Sequence, residues 1–245
     1  MRILIIQGSP RKHGNTVFLV EKFKEGASSA GAEIDEFSIG KGNIHSCIDC
    51  DLCNEDGICR TKDDFQPLVE KVKAADGLCI ATPVNCCNVP AQVKAWMDRT
   101  NSLTYPGYNF PFDGKKAVLL ITSGYPIPRR ELPHVPIHLV QKIDGRIKLG
   151  TLDSLRCALD PFRPFDATID TLRALYNWCV FMGIDVVGTA EITSLGHNPN
   201  TVRDRNEDLD KAYQLGEMLA QSLSPGWDPR EYFMKQGWWS ASDQR

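Results

Sequence analysis

Cys47, Cys50, Cys53 and Cys59 are the residues of this chain best equipped to do chemistry. Thiolates repeated at every third position can wrap one face of a metal–sulfur cubane, and a fourth can close from a short loop. Five residues separate Cys53 from Cys59, and Gly57 among them permits the turn. A bacterial ferredoxin run has three residues there and a proline after its last cysteine. Here Arg60 follows, so all four thiolates can serve one centre. Zinc competes for such ligands, but structural zinc sites generally use two cysteine pairs separated by a longer knuckle. The order of preference is therefore a [4Fe–4S] cluster, then bare thiols, then zinc.

A second chemical signal lies at the start of the chain. Gly8-Ser9-Pro10-Arg11-Lys12-His13-Gly14-Asn15-Thr16 follows a short apolar run and precedes a helical pattern. Backbone N–H groups and the helix dipole converge on an anion at such a place. Ser9, Asn15 and Thr16 add side-chain donors, and Arg11 and Lys12 add positive charge. The nucleotide-binding G-x-x-x-x-G-K-[ST] spacing is missing, because the second glycine comes one residue late and Asn-Thr follows it. The dinucleotide G-x-G-x-x-G is missing too.

The segment Gly8 to Thr16 resembles the phosphate loop G-S-P-R-x-x-x-N-T of the NADPH-dependent FMN reductase and iron–sulfur flavoprotein families. The likeness runs over roughly residues 1–122 and returns weakly at 166–192. It implies FMN, with Ser9, Arg11, Lys12, Gly14, Asn15 and Thr16 around its phosphate. A second stretch, Thr82-Pro83-Val84-Asn85-Cys86-Cys87-Asn88-Val89-Pro90-Ala91-Gln92 followed by Lys94 and Asp98-Arg99, resembles the segment that wraps the isoalloxazine. Pro83, Val84, Asn85, Cys86 and Asn88 fall on its flavin-contacting positions, with Asn85 where the family usually has tyrosine. Ser123 and Gly124 match a third flavin loop by position alone. The cysteine spacing resembles the compact motif of iron–sulfur flavoproteins, and Lys62-Asp63-Asp64-Phe65 resembles their D-D-M segment. Cys86-Cys87 reads as two small packed thiols, since a vicinal disulfide is strained. Lys94, Asp98 and Arg99 read as a helix-end ion pair.

The elements that must position these residues alternate. Strands are expected at 2–6, 32–38, 77–82, 115–122 and 184–192. Helices are expected at 16–30, 63–75, 90–103, 167–182 and 205–223. That alternation predicts an α/β domain with a parallel sheet and right-handed crossovers. The resemblance makes it flavodoxin-like: a doubly wound five-stranded sheet, order 2-1-3-4-5, with the ligand at the switch point above strands one and three. The expected domain is 1–223, with a cysteine-rich loop at 40–61, an insertion at 124–165 after strand 4, and an aromatic tail at 224–245. The insertion holds His134, His138 and the cations Arg129, Arg130, Lys142, Arg146, Lys148 and Arg156. The cations read as a solvated surface first, and as a dock for an acidic carrier or a nicotinamide phosphate second. Cys79, Cys157 and Cys179 sit in apolar surroundings and read as buried structural residues.

The chain has 245 residues and a net charge of −3, which gives no electrostatic reason for nucleic acid or an anionic membrane as partner. No apolar run is long enough for a bilayer or a signal peptide, so a cytoplasmic protein is expected. Nine cysteines in a reducing compartment read as metal or redox chemistry rather than as disulfides. The resemblance implies a flavin-dependent oxidoreductase. It would pass electrons from a ferredoxin-like donor, through cluster and FMN, to a quinone, oxygen, peroxide or another small acceptor. A cluster-free NAD(P)H-dependent FMN or quinone reductase is the second expectation, and an FMN-binding carrier or regulatory partner without its own substrate is the third. A homodimer or homotetramer is expected from the same resemblance.

Overall fold

The computed structural model describes residues 1–107, 109–124, 142–143, 146–147 and 167–227. Arg2–Gln7 (β1), Glu33–Ser38 (β2), Gly77–Pro83 (β3) and Lys116–Thr122 (β4) form four strands of one sheet. Lys142–Ile143 (β5) and Arg146–Ile147 (β6) pair separately, and Asp185–Ile192 (β7) completes the main sheet. The helices are Asn15–Ser29 (α1), Phe65–Ala74 (α2), Ala91–Arg99 (α3), Ala167–Met182 (α4) and Asn206–Ser222 (α5). All pairings in the main sheet are parallel, in the order β2-β1-β3-β4-β7. This is the flavodoxin-like order expected from the sequence, with β7 as the fifth strand.

The central strands are apolar on both faces because helices cover both faces. Successive residues alternate between two cores. Ile3 and Ile5 of β1, with Val118 and Leu120 of β4, face a layer built by α1 and α5. Leu4 and Ile6, with Leu119 and Ile121, face α2, α3 and α4. On that second side Trp96 of α3 and Trp178 of α4 meet with ring centroids 4.5 Å apart. The Trp178 indole N–H donates to Thr100 Oγ1 at 2.8 Å, which satisfies a polar group that burial would otherwise strand.

Three departures from the expected boundaries have local causes. Helix α2 begins at Phe65, not Asp63, because Asp63 and Asp64 accept N–H bonds from the preceding loop and act as its anchor. Helix α3 ends at Arg99, and Thr100–Thr104 continues as a 3₁₀ turn. There the Thr100 and Thr104 hydroxyls bond back to carbonyls three residues earlier, which competes with α-helical continuation. In the insertion, β5 and β6 pair antiparallel, and the dipeptide Asp-Gly between them in the sequence is a two-residue hairpin signal. His134, His138, Arg129, Arg130, Lys148, Arg156, Cys157 and the tail beyond Trp227 lie outside the described residues. Trp227 packs against the α1/α5 core, with Lys116 Nζ 4.7 Å from its ring centroid.

Helices α1 and α5 approach closely through two glycines. A Cβ on Gly26 would lie 2.0 Å from the Tyr213 carbonyl oxygen, and one on Gly216 would lie 2.2 Å from that of Phe23. Backbone cannot yield as a side chain does, so Gly216→Ala is expected to cost about 1–3 kcal/mol of overpacking. A lowered urea midpoint with an unchanged m-value is the readout.

Candidate cofactor site at the carboxyl edge of the sheet

The loops after β1, β3, β4 and β7 meet at one edge of the sheet. The Gly8 N–H bonds the Ala81 carbonyl at 2.7 Å, which extends the β1–β3 ladder into the loop. A Cβ on Gly8 would come within 2.8 Å of Thr82 Oγ1, so the loop lies tight on β3. Ser9 is buried; its N–H donates to Gln7 Oε1 and its hydroxyl oxygen accepts the Arg11 N–H at 3.3 Å. Arg11 and Lys12 are exposed, and no acidic residue occupies the first turn of α1. The first N–H groups of a helix have no partner within the helix. This edge therefore offers donors and positive charge to an anion, and the residues present fit a phosphate.

Two expected side-chain donors have other partners. The Asn15 amide donates to the Asn198 carbonyl at 3.0 Å and accepts the Val202 N–H at 3.0 Å. It thereby clips the start of α1 to the loop after β7. Thr16 Oγ1 shares a 2.7 Å hydrogen bond with Thr122 Oγ1, both buried. These two residues build the frame, and their backbone N–H groups remain at the helix start. Ser123 and Gly124 are tied into the same frame: the Ser123 N–H bonds the Ile192 carbonyl, and the Gly196 N–H bonds that of Gly124. The segment 195–202 was not singled out in the sequence, although Asn198-Pro199-Asn200 is a turn signal.

After β3 the chain makes a hairpin-like turn. Asn85 and Asn88 exchange two backbone hydrogen bonds, of 2.9 and 3.0 Å. Cys86 and Cys87 between them have φ of 46° and 68°, the left-handed region that side chains rarely enter. Each costs about 1–2 kcal/mol there. Both thiols are free, and Cys86 is exposed rather than packed as expected. An open cavity of about 620 Å³ lies against Asn85, Cys86, Asn88 and the first turn of α3.

The cysteine loop leaves the same edge, where the Gly40 N–H bonds the Gln7 carbonyl. Cys47 and Cys50 are exposed, and Cys53 and Cys59 are half-buried. Burial raises the Cys53 thiol pKa, and the charges of Cys59, Cys47 and Cys50 raise it further, so the four sulfurs share one electrostatic neighbourhood. Burial would also raise Cys59, but a backbone hydrogen bond from Thr61 and the Arg99 guanidinium outweigh it and hold the thiol below its ordinary value. Gly57 has φ of 74°, and a Cβ there would lie 2.6 Å from the Tyr105 carbonyl oxygen, so this turn can dock only without a side chain. Among the described residues no three His, Cys, Asp or Glu side chains converge as a metal site. The donor chemistry fits a cluster, and the ligands stand near one another without being gathered.

A family model described as NADPH-dependent FMN reductase matches residues 1–131 of the 245, spanning the phosphate loop, the cysteine loop and the turn after β3. The chain belongs to the NADPH-dependent FMN reductase family. An iron–sulfur flavoprotein of Methanosarcina thermophila is 34% identical over 150 residues, which cover 61% of this chain and 78% of that protein. One from Methanocaldococcus jannaschii is 37% identical over 103 residues, 42% of this chain and about half (53%) of the relative's length. Among solved structures, an NAD(P)H:quinone oxidoreductase from Methanothermobacter marburgensis superposes with a TM-score of 0.63 at 19% identity, covering 89% of this chain and 96% of that one. That likeness is one of fold. No helix among the described residues is long and apolar enough to cross a membrane.

In this member of the family the expected Lys94–Asp98–Arg99 grouping divides. Lys94 pairs with Asp98 on the exposed face of α3, while Arg99 turns inward and is buried. Its Nη1 bonds Asp63 Oδ2 at 2.5 Å and the His45 carbonyl at 3.3 Å. Its Nη2 bonds Cys59 Sγ and the Thr61 carbonyl, each at 3.3 Å, and its guanidinium carbon lies 4.2 Å from the Phe65 ring centroid. Asp63 in turn accepts the N–H groups of His45 and Phe65. Two features of this hub are visible locally, an acid pair after Cys59 and an arginine at a helix end, but nothing in their spacing joins them.

Asp63→Ala would leave Arg99 charged and unpaired in the interior, and a loss of about 3–5 kcal/mol is expected in urea denaturation. Burial alone would raise the Asp63 pKa, but the Arg99 guanidinium and the two N–H bonds hold it at about 2, below the ordinary 3.8. The folded value is depressed, so this stabilisation is complete above about pH 4 and is lost as pH falls through about 2. Hydrogen exchange across residues 43–65 is expected to accelerate over that window before the sheet opens.

Proposed function

We propose that this chain is an FMN-dependent oxidoreductase of the iron–sulfur flavoprotein kind, with FMN on the carboxyl edge and a [4Fe–4S] cluster on Cys47, Cys50, Cys53 and Cys59. FMN exchanges one or two electrons and a cluster one, so together they link a single-electron donor to a two-electron acceptor. The observation that carries the reading is the placement of four thiols on a loop joined by α3 to the flavin turn. Helix α3 starts one residue after Pro90, at that turn, and its ninth residue, Arg99, touches Cys59. That is about 13 Å of helix.

The N–H groups of Gly8, Ser9 and Arg11 are used within the frame, so residues Lys12 to Thr16 bind the phosphate through their backbone N–H groups, with Arg11 and Lys12 supplying charge. Pro83, Val84, Asn85, Cys86 and Asn88 face the isoalloxazine, and Ser123 and Gly124 border it. Asn85 puts a small amide where relatives place an aromatic ring, which leaves more room for an acceptor beside the flavin. The cysteine loop is acidic, with Asp49, Asp51, Glu55 and Asp56 and no cation from Cys47 to Cys59. An acidic ferredoxin-like donor is therefore better matched to the basic insertion than to this loop.

A second reading, an NAD(P)H-dependent FMN or quinone reductase without a cluster, is favoured by the ungathered thiols. Iron, acid-labile sulfide, zinc and FMN measured per chain on anaerobically purified protein separate the two. About four irons, four sulfides and one FMN are expected. FMN without iron or sulfide after anaerobic reconstitution would leave the second reading standing. In the same preparation, Arg11→Ala with Lys12→Ala is expected to weaken FMN binding about tenfold, as two exposed charges near a helix N-terminus allow. Flavin fluorescence on titration is the readout.

A further inference from the structure

Arg99 is buried at the junction of three elements, where a charged group needs partners; both terminal nitrogens have them, and Nε has none. Asp63 neutralises it, and the side chains of both are within 1% of complete burial. Two backbone carbonyls, from His45 and Thr61, take further N–H groups, and Phe65 covers one face of the guanidinium. The remaining contact is unlike these. Nη2 donates to Cys59 Sγ at 3.3 Å, and a thiol needs no such partner to be stable when half-buried. Charge-assisted hydrogen bonds of this kind are strong when the acceptor is an anion. The arrangement is that of a donor held ready for a thiolate.

The position is also specific. Of the four cysteines, Cys59 is separated from the other three by the longest spacer, and it packs against the α2/α3/α4 core while Cys47 and Cys50 are exposed. Gly57 docks the preceding turn on the Ser102–Tyr105 backbone, two residues before Cys59. Cys59 is thus the sulfur whose place is set before any metal arrives, and the other three close on it.

Resting on the cluster reading above, we propose that Arg99 is the positioning residue of the cysteine loop: held by Asp63, it fixes Cys59 as the anchored ligand and raises the reduction potential of the cluster. The direction follows from charge. Reduction adds one electron to the cluster, and a cation with an N–H···S hydrogen bond stabilises the added negative charge. No atom is transferred; the step is the gain of one electron by the cluster. Lysine cannot replace it, because a single ammonium cannot serve the carboxylate, two carbonyls and the sulfur in one plane.

The test uses the full chain, purified anaerobically, with iron, sulfide and FMN counted before each cluster potential is measured by spectroelectrochemistry with electron paramagnetic resonance. The double variant R99M/D63N removes both charges together and leaves no unpaired buried ion. It is expected to keep FMN and the fold by circular dichroism. Its one-electron reduction equilibrium should fall about tenfold, which corresponds to about 59 mV more negative. R99K keeps a charge in the interior without the planar fork, and is expected to lose iron from the Cys59 corner and show a three-iron signal in a larger share of molecules than wild type. Iron-loaded R99M/D63N and R99K with the wild-type potential and iron count would overturn the role given to Arg99 and leave the cluster standing. If the double variant does not fold, R99K decides alone by the same two readouts. Wild-type protein without iron or sulfide would instead sink the cluster reading, and this role with it.

Discussion

The buried pair between Arg99 and Asp63 is the constraint on which the arrangement of the cysteine loop depends. Two opposite charges in a low-dielectric interior must meet, and each must satisfy its remaining donors or acceptors nearby. Here those remaining groups belong to the loop itself. The His45 N–H and carbonyl, the Thr61 carbonyl, the Phe65 N–H and the Cys59 sulfur are all collected by the pair. A loop of more than twenty residues with few apolar side chains turned inward has little else to order it. Its apolar residues Ile48, Leu52 and Ile58 are exposed and only Ile44, Cys59 and the Gly57 turn reach neighbouring elements, so packing alone does not set its path.

The same pair explains the lengths of two helices. Helix α2 starts only after Asp63 and Asp64 have been used to hold Asn43 and His45. Helix α3 stops where Arg99 must turn inward, and the Thr100 hydroxyl of the following 3₁₀ turn donates to its Met97 carbonyl. Charge pairing at one point thus sets the distance between the turn that follows β3 and Cys59.

The carboxyl edge is organised by different means. Backbone bonds from Gly8, Val84, Ser123 and Gly196 stitch the four loops to one another and to the ends of the strands. Side chains that look like ligands in the sequence, Asn15 and Thr16, complete this stitching. The result is a rigid frame in which helix N–H groups are aimed before a ligand arrives, the condition under which anion binding costs least. The frame carries strain at the left-handed pair Cys86-Cys87 and at Ser194, with φ of 59°, and the cysteine pair sits where the isoalloxazine is expected.

Much of this was determined by the sequence alone. Apolar runs of strand length alternating with helical periodicity can bury themselves only as a covered parallel sheet, and Gly-Ser-Pro-Arg before a helix collects donors and positive charge by local chemistry. Cysteines at intervals of three announce metal or redox work wherever the chain takes them. These features are local, and local spacing carries them. What only the tertiary structure decided depends on contacts between residues far apart in the chain. Asp63 and Arg99 are 36 residues apart, Asn15 and Val202 are 187 apart, and Thr16 and Thr122 are 106 apart. A carboxylate or an amide has the same local signature whether it meets water, a ligand or a distant partner. Which it meets is settled when the sheet forms and brings those neighbours within hydrogen-bond reach.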